Sequence, residues 1–242
     1  MNRLGIIACQ VYEKELAYLL DNDKKIKQLY ARRTEENLLF SSYLNAREIK
    51  FISDYEELEE HAELDAIIEV MPIGLHVYID ELIEKRRDII DRVKPHADRV
   101  LMFYGLCGDS MQKVFDREDV KIFAPRDNGE IVDDCICSIL GKKEYLRQLK
   151  NIGSFFMIPG FALHSDDLTE KTMGPGKHFD EIKMLLDAAG YKRYMMIDHD
   201  LWSDEEISIA KEQSKQVGLP MEHIKGDLKI LMSCLDEAID SF

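Results

Sequence analysis

The sequence predicts an α/β fold with a mostly parallel central sheet flanked by helices, Rossmann-like in the broad sense. Two observations carry this. Short apolar runs alternate along the chain with amphipathic stretches, as parallel strands joined by helical crossovers require. Helix start and stop signals fall at the boundaries between them.

The elements follow in order. Gly5–Ala8 continues an opening apolar run and reads as a buried strand. Val11–Leu20 is helical, with Leu16, Leu19 and Leu20 on one face and Glu13 and Lys14 on the other. Ile26–Tyr30 is a second strand, Glu35–Asn45 a helix and Ile49–Ile52 a short strand. Ser53 and Glu56 form a capping-box pattern that predicts a helix over Asp54–His61. Ala66–Met71 is a buried strand closed by Pro72 and Gly74. Tyr78–Val93 is an amphipathic helix stopped by Pro95. Arg99–Tyr104 is a strand running into Gly105, and Val120–Phe123 is a strand ending at Pro125. Asp133–Leu140 and Lys143–Leu149 are helices parted by Gly141. Phe155–Ile158 is a strand, followed by a long polar loop over Gly160–Lys177. Phe179–Ala189 is a helix and Tyr194–Ile197 a strand. Ser203 and Glu206 cap a helix over Asp204–Val217. Glu222–Ile224 is a strand and Leu228–Ile239 the closing helix.

At 242 residues the chain is long enough for one large α/β domain over residues 1–242, with residues 21–64 as a candidate inserted subdomain or cap. Lys plus Arg number 32 against 47 Asp plus Glu, a net charge of −15. That surface repels phosphate backbones and anionic lipid, which argues against nucleic-acid and membrane partners. The apolar opening run is too short for a signal-peptide core or a membrane span, so a cytoplasmic location is expected. Five cysteines in a reducing compartment are then thiols.

Open α/β sheets bind ligands beyond the carboxyl ends of their strands. The first strand ends at Cys9. The run ending at Met71 is followed by His76. The strand ending at Tyr104 continues as Gly105-Leu106-Cys107-Gly108. Pro125-Arg126 follows the next strand, and Cys135 opens a helix. Asp198-His199-Asp200 follows a later strand and is a further acidic, histidine-bearing rim. Thiolates are soft ligands suited to zinc and iron–sulfur clusters. Cys107 sits in a tight turn whose N–H groups favour a thiolate, and the helix N-terminus is expected to lower the pKa of Cys135. A free cysteine is equally a small hydrophobe, and Cys137 and Cys234 are read that way. No CxxC pair, GxGxxG, GxSxG or HExxH occurs. Gly174-Pro175-Gly176-Lys177 precedes a helix but lacks the phosphate-loop spacing.

Tyr104-Gly105-Leu106-Cys107-Gly108, Pro125-Arg126, Asp134-Cys135-Ile136, Leu140-Gly141, Tyr145 and Ile158-Pro159-Gly160 together resemble a domain-of-unknown-function family of methanogenic archaea and anaerobic bacteria. Ala8-Cys9, Leu75-His76 and Gly226-Asp227-Leu228 extend the likeness. The chain departs from it at Asp133, where that family has His, and at Phe161, where it often has Trp. The resemblance implies corrinoid-linked methyl transfer as a context and a corrinoid protein as a partner. It selects the same three cysteines as the rim argument.

Two main functional readings result, beside a third in which the chain is a partner-binding subunit steered by its negative charge towards a basic protein. In the first, Cys9, Cys107 and Cys135 hold zinc or an iron–sulfur cluster, with His76 as a fourth ligand or acid/base group and Gly105 and Gly108 shaping the cofactor turn. In the second, the rim binds an anionic small molecule, with Arg126 and Lys177 as counter-charges and no redox chemistry. Whether the protein is an enzyme is left open by both. A small-molecule substrate and a homo-oligomer are compatible with either.

Overall fold

A computed structural model describes residues 2–60, 62–108, 114, 117–174 and 179–242, with Met173 and Phe179 described by backbone alone. In chain order the first elements are β1 (Arg3–Cys9), α1 (Glu13–Asn22), β2 (Ile26–Arg32), α2 (Glu35–Ser41), β3 (Ile49–Ile52), β4 (Leu64–Met71), α3 (Ile79–Val93), β5 (Arg99–Phe103) and β6 (Lys121–Phe123). They form a six-stranded sheet in the order β3-β2-β4-β1-β5-β6. Every pairing in it is parallel, with Ile6 opposite Ile68 on one side and Leu101 on the other.

The central strands are buried on both faces. Ile6 and Ile68 point into one apolar cluster, while their neighbours Ile7 and Ile67 point into a second on the opposite face. This alternation across the pleat is why β1 and β4 read as mainly apolar runs, interrupted in β4 by the buried Glu69, which pairs with Arg32. The order also sets up a reversal of direction in the sheet. After β1 the chain moves to one side of the sheet, and after β5 it moves to the other. The carboxyl ends of β1 and β5 therefore flank a topological switch point.

The rest of the chain builds β7 (Arg126–Asp127), β8 (Glu130–Ile131), α4 (Cys135–Leu140), α5 (Lys142–Lys150), β9 (Ser154–Met157), α6 (Pro159–Leu163), α7 (Ser165–Met173), α8 (Phe179–Ala188), β10 (Arg193–Asp198), α9 (Asp204–Gln216), β11 (Met221–Lys225) and α10 (Lys229–Asp240). Strands β11, β10 and β9 form a second parallel sheet with its own core cluster. Strands β7 and β8 form an antiparallel hairpin around Asn128-Gly129. Helix α10 returns to the first sheet, where Leu231, Cys234 and Leu235 join the core beside Cys137. No helix among the described residues is long and apolar enough to cross a membrane.

Several local expectations change. Residues 21–64, read as an inserted subdomain or cap, supply β2, α2 and β3 and so continue the main sheet to its edge. Their polar look comes from an edge strand and a short helix that expose one face. The Ser53 capping box does not form. Ser53 N–H donates instead to Glu57 Oε2 at 3.2 Å, and only a 3-10 turn, Tyr55–Glu57, follows. The polar stretch after β9 is helical, opened by Pro159 at the first position of α6. The Ser203–Glu206 capping box is present.

The two sheets meet through the start of α1. His199 Nε2, just past β10, lies 2.6 Å from Glu15 Oε1, both side chains fully buried. His164 Nε2, between α6 and α7, lies 2.8 Å from Glu13 Oε2. Lys14 Nζ bonds both Glu206 carboxylate oxygens at 2.8 and 2.6 Å. Gly160 makes the approach close: a Cβ there would lie 2.7 Å from Val11 C and 2.8 Å from Val11 Cα. The carboxyl end of β9 is thus pressed against the turn that follows Cys9.

Candidate functional site

Cys9, Cys107 and Cys135 come from three separate elements and line one cavity of about 30 Å³. Cys9 ends β1, Cys107 lies in the turn after β5, and Cys135 is the first residue of α4. His76, Tyr12, Tyr104, Gly105 and Phe161 are among the other residues of its walls, with Val11, Ile73 and Leu75. A water occupies roughly 10–15 Å³ on this measure, so the space holds two or three water-sized groups.

Local chemistry places each thiol. The turn carrying Cys107 is laced to the chain before α4 by Leu106 N–H to Val132 O and Cys107 N–H to Asp133 O, both 2.9 Å. Gly105 permits this, since a Cβ there would lie 2.5 Å from Asp134 Cα. Asp134 caps α4 by accepting from Cys137 N–H at 2.8 Å, and Tyr145 donates its hydroxyl to the other carboxylate oxygen at 2.6 Å. Cys107 itself has φ +46, in the left-handed region. A non-glycine residue held there is strained, and such strain clusters at functional sites.

The electrostatics correct an expectation. Burial pushes the Cys9 thiol up to about 11, and the nearby Cys107 adds to the rise. Burial also raises Cys107, although the charge of Arg86 and a hydrogen bond from it pull the other way. Cys135 is pushed well above the ordinary range by burial first and the Asp134 carboxylate second. Desolvation therefore overrides both the turn N–H groups and the helix terminus that were expected to lower these values. His76 is exposed at the mouth, yet enough of its ring is covered to lower its pKa.

Arg86 is the residue that sequence reasoning missed. It is fully buried on α3, with its guanidinium carbon 4.1 Å from the Tyr104 ring centroid. It sits in a Lys-Arg-Arg run that looks solvated. Its spacing from Leu82, Ile90 and Val93, all buried on the same helix, is the signal that places it inward.

Other predicted site residues lie elsewhere. Arg126 is exposed in the β7–β8 hairpin, where its Nη1 donates to Gly129 O at 2.9 Å. It does not line the cavity. Gly108 follows Cys107 at the exposed end of the turn. Pro175, Gly176 and Lys177 lie outside the described residues. His199 is taken by Glu15, so the Asp198-His199-Asp200 rim is a buried structural pair with acidic neighbours. As the side chains stand, no three His, Cys, Asp or Glu among the described residues are arranged to hold a metal ion. A larger open groove of about 760 Å³ lies over the ends of β2 and β4, lined by mixed charges that include the Arg32–Glu69 pair.

Residues 70–235 match the model of a family described as a protein of unknown function, DUF1638. The chain belongs to the DUF1638 family. The DUF1638 match includes His76, Arg86, Cys107, Cys135 and Phe161 and begins after Cys9. No curated protein matches the chain.

Proposed function

We propose that this DUF1638 protein binds a single soft metal ion, of the zinc type, through Cys9, Cys107 and Cys135. The observation that carries the reading is the meeting of three thiols in one cavity, with the buried Arg86 behind its wall, hydrogen-bonded to Cys107 and stacked on Tyr104. The donor set suits a thiophilic ion. A divalent ion with three thiolates has one net negative charge, and Arg86 supplies the matching positive one. The cavity also argues about nuclearity. A cubane of four irons and four sulfides exceeds a space of about 30 Å³, whereas one ion does not.

Because no three such side chains among the described residues stand in metal-holding positions, ligation requires the three cysteines to converge further. Three protein ligands leave a fourth position open, and a bound zinc there would supply Lewis-acid polarisation or activation of a thiol. The chain's own residues set the conditions. Tyr104 and Phe161 exclude water, the Cys107 turn is held by two backbone hydrogen bonds, and His76 stands at the mouth where a proton can be taken or given. The family resemblance adds corrinoid-linked methyl transfer as the setting and a corrinoid protein as partner, and thiol activation belongs to that chemistry. The anion-binding reading has less support, because Arg126 does not line the cavity.

The test is elemental analysis of protein purified without oxygen, for the wild type and for Cys9→Ser, Cys107→Ser and Cys135→Ser. The expected result is about one zinc per chain, without colour, lost or much weakened in each variant. Full metal content in all three variants, or none in the wild type after zinc loading, would overturn the reading.

A further inference from the structure

A second pocket, of about 300 Å³ and partly open to solvent, lies between the face of the β9–β11 sheet and α7, α8 and α9. Its size falls at the lower end of ligand pockets, and about half as much space accepts a benzene. Phe155, Met157, Leu168, Ile182 and Tyr194 give it an apolar wall. At one end the polar groups are strictly ordered. The Tyr194 hydroxyl donates to Gln213 Oε1 at 2.8 Å. The Gln213 amide donates in turn to Ala162 O at 3.0 Å and to Ser165 Oγ at 2.7 Å. Ser165 Oγ is therefore an acceptor in this chain, and its own hydrogen has no acceptor among the described residues. Asp166 and Glu170 are exposed carboxylates on the lining, which disfavours an anion.

We propose that this cavity binds a small neutral organic molecule with a ring-sized apolar body and one hydrogen-bond acceptor, held by the Ser165 hydroxyl. An apolar wall with an oriented donor, Ser165, and a second hydroxyl, Thr169, on the lining is the pattern of a small-molecule site, in which burial gives affinity and the polar group gives orientation. Phe161 lines this cavity and the thiol cavity alike. A bound molecule therefore lies one side chain from the cysteines. The inference stands on the second sheet alone and does not need the metal.

Isothermal titration with acetophenone, ethylbenzene and benzoate tests it. Acetophenone has the ring and one carbonyl acceptor, ethylbenzene lacks the acceptor, and benzoate adds a negative charge. The expected result is saturable one-to-one binding of acetophenone, with ethylbenzene weaker by about 3- to 10-fold and benzoate weaker still. Ser165→Ala should bring acetophenone down to the level of ethylbenzene. Leu168→Trp, which fills the cavity, should abolish binding while the protein retains a cooperative melt. A variant with all three rim cysteines changed to serine should bind acetophenone as the wild type does, which separates this site from the metal reading. Absence of saturable binding to the wild type, or unchanged binding in Leu168→Trp, would overturn the site. Equal affinity for acetophenone and ethylbenzene would overturn the role of Ser165.

Discussion

Replacing Gly105 by alanine tests how the thiol turn is held. The added Cβ would meet Asp134 Cα at 2.5 Å and Asp134 N at 2.6 Å, both backbone atoms. Ordinary contact begins at 3.4 Å, so Asp134 must retreat by about 0.9 Å. That movement separates the Cys107 turn from the first turn of α4 and strains the bonds from Leu106 N–H and Cys107 N–H. Overpacking of this kind costs about 1–3 kcal/mol, and each weakened backbone hydrogen bond adds up to about 1 kcal/mol. A total near 3 kcal/mol lowers the melting temperature of a chain this size by about 6–12 °C. Thermal melts and urea titrations read the stability, and iodoacetamide labelling followed by peptide mapping reads the exposure of Cys107 and Cys135. The expected outcome is a lower melting temperature together with faster labelling of both. A variant that melts within a degree of the wild type and labels at the same rate would refute the close-approach argument.

Other predictions follow from the joint between the sheets and from the site. His199→Leu leaves Glu15 buried without its partner, which should cost about 3–5 kcal/mol in urea denaturation; a loss below 1 kcal/mol would contradict the pairing. Glu13 has its carboxyl pKa raised from 4.5, burial being the first cause. A raised value means the folded state holds the proton more firmly, so the associated stability is full below 4.5 and is lost as pH rises through the raised value. The stability of wild type relative to Glu13→Gln should therefore fall with rising pH across that window, as read from urea midpoints; a flat difference would count against it. Arg86→Met should weaken zinc binding by about 10- to 100-fold in a chelator competition while the three cysteines remain. Unchanged affinity would remove Arg86 from the site.

What the sequence shows and what it hides has physical reasons. Cys9, Cys107 and Cys135 are legible because strand ends and helix starts are local features, and a parallel sheet gathers strand ends on one rim. Their electrostatic state is not legible, because burial depends on how Phe161 and Tyr12 close over them. Nor is the division into two sheets, since a strand's apolar run does not say which neighbour it pairs with. Glu13 and Glu15 look like acids complementing a helix dipole. Their real partners, His164 and His199, are about 150 and 180 residues away and meet them only when the second sheet docks. The β7–β8 hairpin escapes a reading based on apolar periodicity because its strands are two residues long. Asn128-Gly129 is its local sign.

In the proposed site the three cysteines together hold one ion. X-ray absorption at the zinc edge of the loaded protein measures this directly. The expected spectrum shows three sulfurs at about 2.3 Å, falling to two in Cys107→Ser. A shell of nitrogen and oxygen alone in the wild type would contradict it.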